Sequence, residues 1–208
     1  MRGLGFLLLL GAAFAASFAA FSVEPAGDQV VDLTTGVTTL PEGGRLVDAE
    51  RGIALEADWI EYKEGAFVRA RGARLAHGDL RFEAGEIVYT AEEERVELGG
   101  GVRFSSRELK GLSAERGVLY LKDRVAVLLG GVEGEAPRLR ARALVADLDE
   151  GLVLLLGPFR YEDPELGLVF EGKGEDATLL LRFVEGGVEV ETEVPPELKA
   201  RLLAYLGS

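Results

Sequence analysis

The chain has 208 residues, 48% of them hydrophobic, which suits one domain with a sizeable core and excludes a disordered chain. A formal net charge of −13 with no basic stripe excludes nucleic acid as a partner. Cysteine is absent, which excludes disulfides and thiolate metal sites. Asparagine is absent too, and with many Glu and Arg this loss of thermolabile residues points to a thermophile.

After Met1-Arg2 no charge occurs until Glu24, and the interval is rich in Leu, Phe, Ala and Gly. As a helix rising about 1.5 Å per residue it spans roughly 30 Å, the thickness of a bilayer core. It also reads as a signal peptide, with a basic start, the apolar run Leu4–Leu10 and the small residues around Ser17-Phe18-Ala19. Residues 1–23 are therefore a signal peptide or a membrane anchor. Arg2 before the run and Glu24, Asp28 and Asp32 after it place the N-terminus in the cytoplasm and the rest outside. Either way the chain is expected in the periplasm or cell envelope, soluble or held to the inner membrane by residues 4–23.

Residues 24–44 read as a linker that could hold one short strand at Val30-Val31-Asp32-Leu33, bracketed by Pro25-Ala26-Gly27 and Pro41-Glu42-Gly43-Gly44. From Arg45 to Val194 short alternating runs are broken by turns such as His77-Gly78-Asp79 and Glu185-Gly186-Gly187, which predicts an all-β domain. Within it a unit of roughly 27–30 residues recurs. Its copies start at Leu55-Glu56-Ala57-Asp58, Phe82-Glu83-Ala84-Gly85, Leu112-Ser113-Ala114-Glu115 and, more loosely, Leu139-Arg140-Ala141-Arg142. Each runs on to a glycine followed by a small or apolar residue: Gly72-Ala73, Gly101-Val102, Gly131-Val132 and Gly157-Pro158-Phe159. Such a unit cannot bury its own apolar face and must stack on its neighbours.

The alternation slips at matching places. Leu80, Phe82 and Ala84 share one parity, and Ile87 and Tyr89 the other. Leu55 and Ala57 give way to Ile60 and Tyr62 in the same manner, as do Leu139, Ala141 and Ala143 to Leu144 and Ala146. A slip turns side chains to the opposite face unless the strand bends or bulges there. Across Gly157-Pro158 the parity changes again, from Leu152, Leu154 and Leu156 to Phe159 and Tyr161. Across Gly99-Gly100-Gly101 it does not. Strands bent at one level make a folded-over antiparallel sheet with an apolar slot between two walls. Phe82, Ile87, Tyr89, Val102, Phe104, Leu119, Leu129, Phe159 and Phe170 are placed facing inward, as slot lining or as plain core.

Residues 195–208 differ. Pro195-Pro196 stops the last strand, and Glu197–Leu206 reads as a short helix with Leu198, Leu202, Tyr205 and Leu206 on one side, either capping the open end of the sheet or docking a partner.

No catalytic, cofactor or metal residues are assigned. His77 is the single histidine and sits in a turn, so neither a zinc site nor a triad can be built around it. Asp147-Leu148-Asp149-Glu150-Gly151 is too short for a calcium loop and reads as a hairpin turn. No Gly-rich loop precedes a helix, so phosphate binding has no basis.

Over residues 45–165 the chain resembles the OstA-like (LptA–LptC) family of periplasmic lipopolysaccharide-transport proteins. Three segments carry the resemblance: Leu55-Glu56-Ala57-Asp58-Trp59-Ile60-Glu61-Tyr62, Phe82-Glu83-Ala84-Gly85-Glu86-Ile87-Val88-Tyr89 and Leu112-Ser113-Ala114-Glu115-Arg116-Gly117-Val118-Leu119-Tyr120, with the Gly-Val corners that follow. The chain departs from the family in lacking the Asn that usually follows the corner glycine. The resemblance implies a folded-over antiparallel β jelly roll that carries lipid acyl chains. It also implies an inner-membrane ABC exporter as the source of energy, and other OstA-like domains joined by edge-strand addition, including head-to-tail self-association. The expected function is a non-enzymatic lipid carrier for lipopolysaccharide or a related amphiphile, in outer-membrane biogenesis. The rival is a structural envelope protein with a solid β core, and an enzyme acting on envelope glycans is a distant third.

Overall fold

The computed structural model describes residues 21–49, 52–77, 80–105, 111–135, 138–163, 167–184 and 187–207. Of the apolar segment expected over residues 1–23, residues 1–20 lie outside these, and Ser22 and Val23 belong to the first strand.

The chain folds as an antiparallel β jelly roll made of long strands that bend across a common corner. In chain order the strands are β1 (Ser22–Pro25), β2 (Val30–Asp32), β3 (Val37–Leu40), β4 (Gly44–Asp48), β5 (Ile53–Ala57), β6 (Trp59–Lys63), β7 (Phe67–His77), β8 (Leu80–Thr90) and β9 (Arg95–Ser105). There follow β10 (Leu112–Ala114), β11 (Arg116–Tyr120), β12 (Val125–Gly134), β13 (Leu139–Asp147), β14 (Leu152–Glu162), β15 (Val169–Gly172), β16 (Thr178–Val184) and β17 (Gly187–Glu191). Helix α1 (Pro196–Leu203) and a 3₁₀ turn (Ala204–Leu206) close the described chain.

Each long strand contributes one half to each of two walls. Wall A runs β2, β3, β6, then halves of β7, β8 and β9, then β11, halves of β12, β13 and β14, and β16 and β17. Wall B runs β1, β4, β5, the other halves of β7, β8 and β9, then β10, the other halves of β12, β13 and β14, and β15. The segment expected as a linker, 24–44, is thus part of the sheet. Its Val30–Asp32 strand exists as β2, with a partner strand on one side and further strands beyond.

The corner explains the parity slips. Asp58 separates β5 from β6, and Glu115 separates β10 from β11. Gly85 of β8 lies opposite Gly100-Gly101 of β9, where the register shifts by one. Arg142 of β13 occupies the same level, flanked by shifts against β12 and β14. The residue after each central Ala and the glycine of the neighbouring strand therefore form one corner, not two levels. A Cβ on Gly85 would stand 2.7 Å from the Gly100 carbonyl oxygen, and Gly100 has φ +70, so that pair needs glycine for both space and backbone.

On the outside of wall B the register sets charges side by side. Glu24, Arg45, Glu56, Arg74, Glu83 and Arg103 are successive cross-strand neighbours; past Ser113 the row resumes as Glu133, Arg140, Arg160 and Glu171. Arg74 reaches Glu56 at 3.3 Å, Arg140 reaches Glu133 at 3.3 Å, and Arg160 pairs with Glu171. Exposed pairs of this kind contribute little stability each, but they disfavour a slipped register.

Wall A is apolar on both faces over its later strands. Val125, Val127, Ala143, Val145, Leu152, Leu154, Leu156 and Leu180 form a second buried cluster on its outer side, covered by Leu198, Leu202, Leu203, Tyr205 and Leu206. The predicted helix exists with the predicted apolar side. It lies across the outer face of wall A and does not cap the end of the sheet. Pro195 and Pro196 turn the chain out of the sheet after β17.

Candidate functional site

The candidate site is the space between the walls. On one long side the walls are joined covalently through every bent strand. On the other, the rim, a side-chain contact joins them among the described residues. Phe21, preceding β1 of wall B, packs edge-on against Tyr62 of wall A with ring centroids 5.4 Å apart. That contact closes the rim beside the first strands.

The slot lining is in register. Near the corner Ala57, Ala73, Ala84 and Ala114 occupy wall B, where small side chains let the walls approach. Towards the rim of the same wall Leu75, Phe82, Phe104 and Leu112 are successive neighbours. From wall A come Ile60, Ala70, Ile87 and Leu98, and in the next row Val68, Tyr89, Val96 and Leu119. Alternation at period two selects these residues, and burial of their apolar surface holds the walls together at about 25 cal/mol per Å².

Seven of the residues expected to face inward do so. Phe82, Ile87, Tyr89, Val102, Phe104, Leu119 and Phe159 all lie in the interior cluster with between 2% and 8% of their surface exposed. Phe170 is half-buried against that cluster, at the far end of wall B. Leu129 is a correction: it packs in the outer cluster beneath α1, and its neighbour Leu128 faces the slot. The spacing Leu98 to Val102 across Gly99-Gly100-Gly101, repeated as Leu128 to Val132 across Gly130-Gly131, carried that information in the sequence. Leu40, Leu46, Leu155 and Leu179 are buried slot residues that sequence reasoning missed, the first because its segment read as linker.

The interior is closed and largely apolar. Burial pushes the Tyr89 hydroxyl above its ordinary pKa, with Glu94 adding to the effect, so it stays neutral. Two concavities are described along wall B. One of about 590 Å³ is lined by Ser113, Glu133, Arg138, Arg140, Arg160 and Glu162, and another of about 480 Å³ by Arg74, Glu83, Gly85, Gly100 and Arg103 among others. In the first, Arg140 pairs with Glu133 and Arg138 lies 3.8 Å from Glu162; beside the second, Arg74 pairs with Glu56. Among the described residues no group of three or more His, Asp or Glu is placed to hold a metal ion. His77, expected in a turn, is the last residue of β7 and lies opposite Leu80 of β8. In the turn after β13, the Asp147 carboxylate accepts hydrogen bonds from the backbone N–H groups of Asp149 (3.1 Å) and Glu150 (2.9 Å).

No protein-family model matches the chain, and no curated protein matches it. Among solved structures it is similar to that of LptH, described as the LptA-homologous periplasmic component of the lipopolysaccharide transport device of Pseudomonas aeruginosa. The match covers 72% of this chain and 99% of that one at 12% identity, with a TM-score of 0.41.

Proposed function

We propose that the protein is a non-catalytic lipid carrier of the cell envelope, which takes acyl chains between its walls and passes a lipopolysaccharide-like amphiphile from the inner membrane towards the outer. The observation that carries this reading is the slot itself: continuous apolar lining on both walls, with the Phe21–Tyr62 side-chain contact at the rim. Each acyl methylene moved from water into such a lining contributes about 0.8 kcal/mol, so binding needs no polar group. Phe82, Ile87, Tyr89, Val102, Phe104, Leu119, Phe159 and Phe170 are the contact residues in this reading. An ATP-driven exporter in the inner membrane supplies the lipid, and other domains of the same kind join at the sheet edges. Loss of about twenty residues from the N-terminus makes the protein a free periplasmic bridge, and their retention makes it an anchored acceptor.

The tight closure of the interior favours a second reading, a structural envelope protein with a solid core. Mass spectrometry of lipid extracted from protein purified out of its own envelope separates the two. Stoichiometric lipid in repeated preparations is the carrier's result, and consistently lipid-free protein defeats it. The mass of the mature chain decides between bridge and anchor.

A further inference from the structure

The first hairpin of wall A is unlike those that follow it. Residues 33–40, which form the turn between β2 and β3 and then β3 itself, carry no charge, in a chain of which 28% is charged. Later turns along the same wall carry Glu64, Glu92-Glu93-Glu94 and Asp149-Glu150, which keep them in water. Here large apolar side chains are exposed instead: Leu33 at 92%, Val30 at 57% and Val31 at 48%. A single exposed apolar residue is ordinary, but three within four consecutive positions form a patch.

The turn is also held in one shape. The Asp32 carboxylate accepts hydrogen bonds from the Thr35 hydroxyl at 2.7 Å and from the backbone N–H groups of Thr34 at 2.8 Å and Thr35 at 3.4 Å. The bond from the Thr35 hydroxyl, and then that from Thr34, hold this carboxyl below its ordinary pKa, so its charge is turned onto the hairpin's own donors. Gly36 donates its N–H to the Asp32 carbonyl at 2.8 Å, with φ +71 closing the turn. A fixed backbone therefore presents Leu33 to its surroundings.

The place of this hairpin in the molecule gives its partner. The uncharged run of residues 3–23 leads straight into the fold, since Phe21 already packs on Tyr62 and Ser22 begins β1. Tyr62 lies opposite Thr38 of β3, and Thr38 opposite Val31 of β2, so β2 stands two strand spacings, roughly 9.6 Å, from that point of entry. An anchor made of this run leaves no linker to hold the domain off the membrane. The bilayer surface then lies against this corner of the molecule.

We infer that the β2–β3 turn docks on the phospholipid bilayer that holds residues 1–20, with Leu33 inserted at the boundary between headgroups and acyl chains and Val30 and Val31 at the surface. The inference rests on the reading in which residues 1–20 are retained as an anchor, and it is independent of whether the slot carries lipid. Shallow insertion suits the hairpin. β2 pairs with β3 alone among the described strands, and at the interface water still reaches the backbone groups of its other edge. In the hydrocarbon centre those groups would stay unpaired. Docking adds orientation to the anchor, because it sets the Phe21–Tyr62 contact, and the rim beside it, against the membrane.

The chain has no cysteine, so single probes can be placed by substitution. Full-length Leu33→Cys and Leu168→Cys, each labelled with nitrobenzoxadiazole, are incorporated into vesicles of phosphatidylethanolamine and phosphatidylglycerol. Leu168 precedes β15 at the opposite end of the sheet and is 51% exposed. A lipid carrying a nitroxide high on its acyl chain is expected to quench the Leu33→Cys probe at least about threefold more than the Leu168→Cys probe, with a blue shift of the first alone. Melting unchanged from the parent chain confirms that both variants are folded. Equal quenching of the two probes, or a blue shift at Leu33→Cys without quenching, which means cover by protein, overturns the inference while the anchored reading stands. A chain that alkaline carbonate strips from the vesicles overturns both.

Discussion

Arg201 of α1 donates to both carboxylate oxygens of Glu150 at 2.7 Å each, tying the helix to the rim turn between β13 and β14. Asp147 lies 3.2 Å from the same guanidinium, and Tyr120 donates to the carbonyl of Tyr205 at 3.2 Å. A two-point pair with low geometric freedom is the kind of surface contact that orients an element. The helix is thus fixed at an apolar seat and at a charged one.

The charged seat titrates. The hydrogen bonds from Arg201 hold the Glu150 carboxyl below its ordinary value of 4.5. Its contribution is therefore present above that value and is lost as pH falls through the lowered one. Protection of the α1 amides, taken relative to the intrinsic exchange rate at each pH, should fall as Glu150 is protonated below its ordinary value of 4.5. In Arg201→Ala the exchange should already be faster at neutral pH, and its acid step should shrink. An acid step of undiminished size in the variant would separate the titration from this pair.

The apolar seat carries more of the docking. Leu202 is fully buried among Val145, Leu154 and their neighbours. Leu202→Ala is expected to cost about 2–3 kcal/mol, lowering the melting temperature by several degrees. A dye that binds exposed apolar surface should also brighten, because the outer face of wall A is uncovered while the walls stay folded.

At the corner, two adjacent glycines should respond oppositely. Gly99 is not in the left-handed region and a Cβ there meets nothing, so Gly99→Ala should be neutral or slightly stabilising. Gly100 has φ +70 and a Cβ there would stand 3.0 Å from the Cα of Gly85, so Gly100→Ala should cost about 1–3 kcal/mol. Thermal melts of the two variants give the comparison.

The rim offers a direct test of lipid entry. The chain has no cysteine, so Phe21→Cys with Tyr62→Cys can be joined selectively by a short bismaleimide. If lipid enters where the walls separate, the joined protein should take up a fluorescent fatty acid more slowly than the unjoined double variant. Equal uptake rates would place entry elsewhere.

Much of the fold was legible in the chain because a β-strand writes its faces at period two. Phe82 and Ala84 against Ile87 and Tyr89 showed both the alternation and the place where it turns, and the corner at Gly85 is where the register shifts. The helix was legible from Leu198, Leu202, Tyr205 and Leu206, but its seat was not. Val145, Leu154 and Leu180 alternate with inward residues that are equally apolar, so no pattern marks which face is which. Leu128 and Leu129 present the same ambiguity, and there the inward residue was chosen wrongly. Val30–Asp32 was visible as a strand, yet the Pro and Gly around it read as linker, because corner turns and linkers share a composition.

Local alternation, the recurring Ala and Gly, and the two prolines by themselves determined the strands, the corner and the end of the sheet. These depend on backbone sterics and on which side chains avoid water, both written residue by residue. Only the tertiary structure decided that one wall is apolar on both faces, that α1 covers its outside, and that this wall ends one strand beyond the other. Those are matters of which surfaces meet, and segments far apart in the chain settle them together.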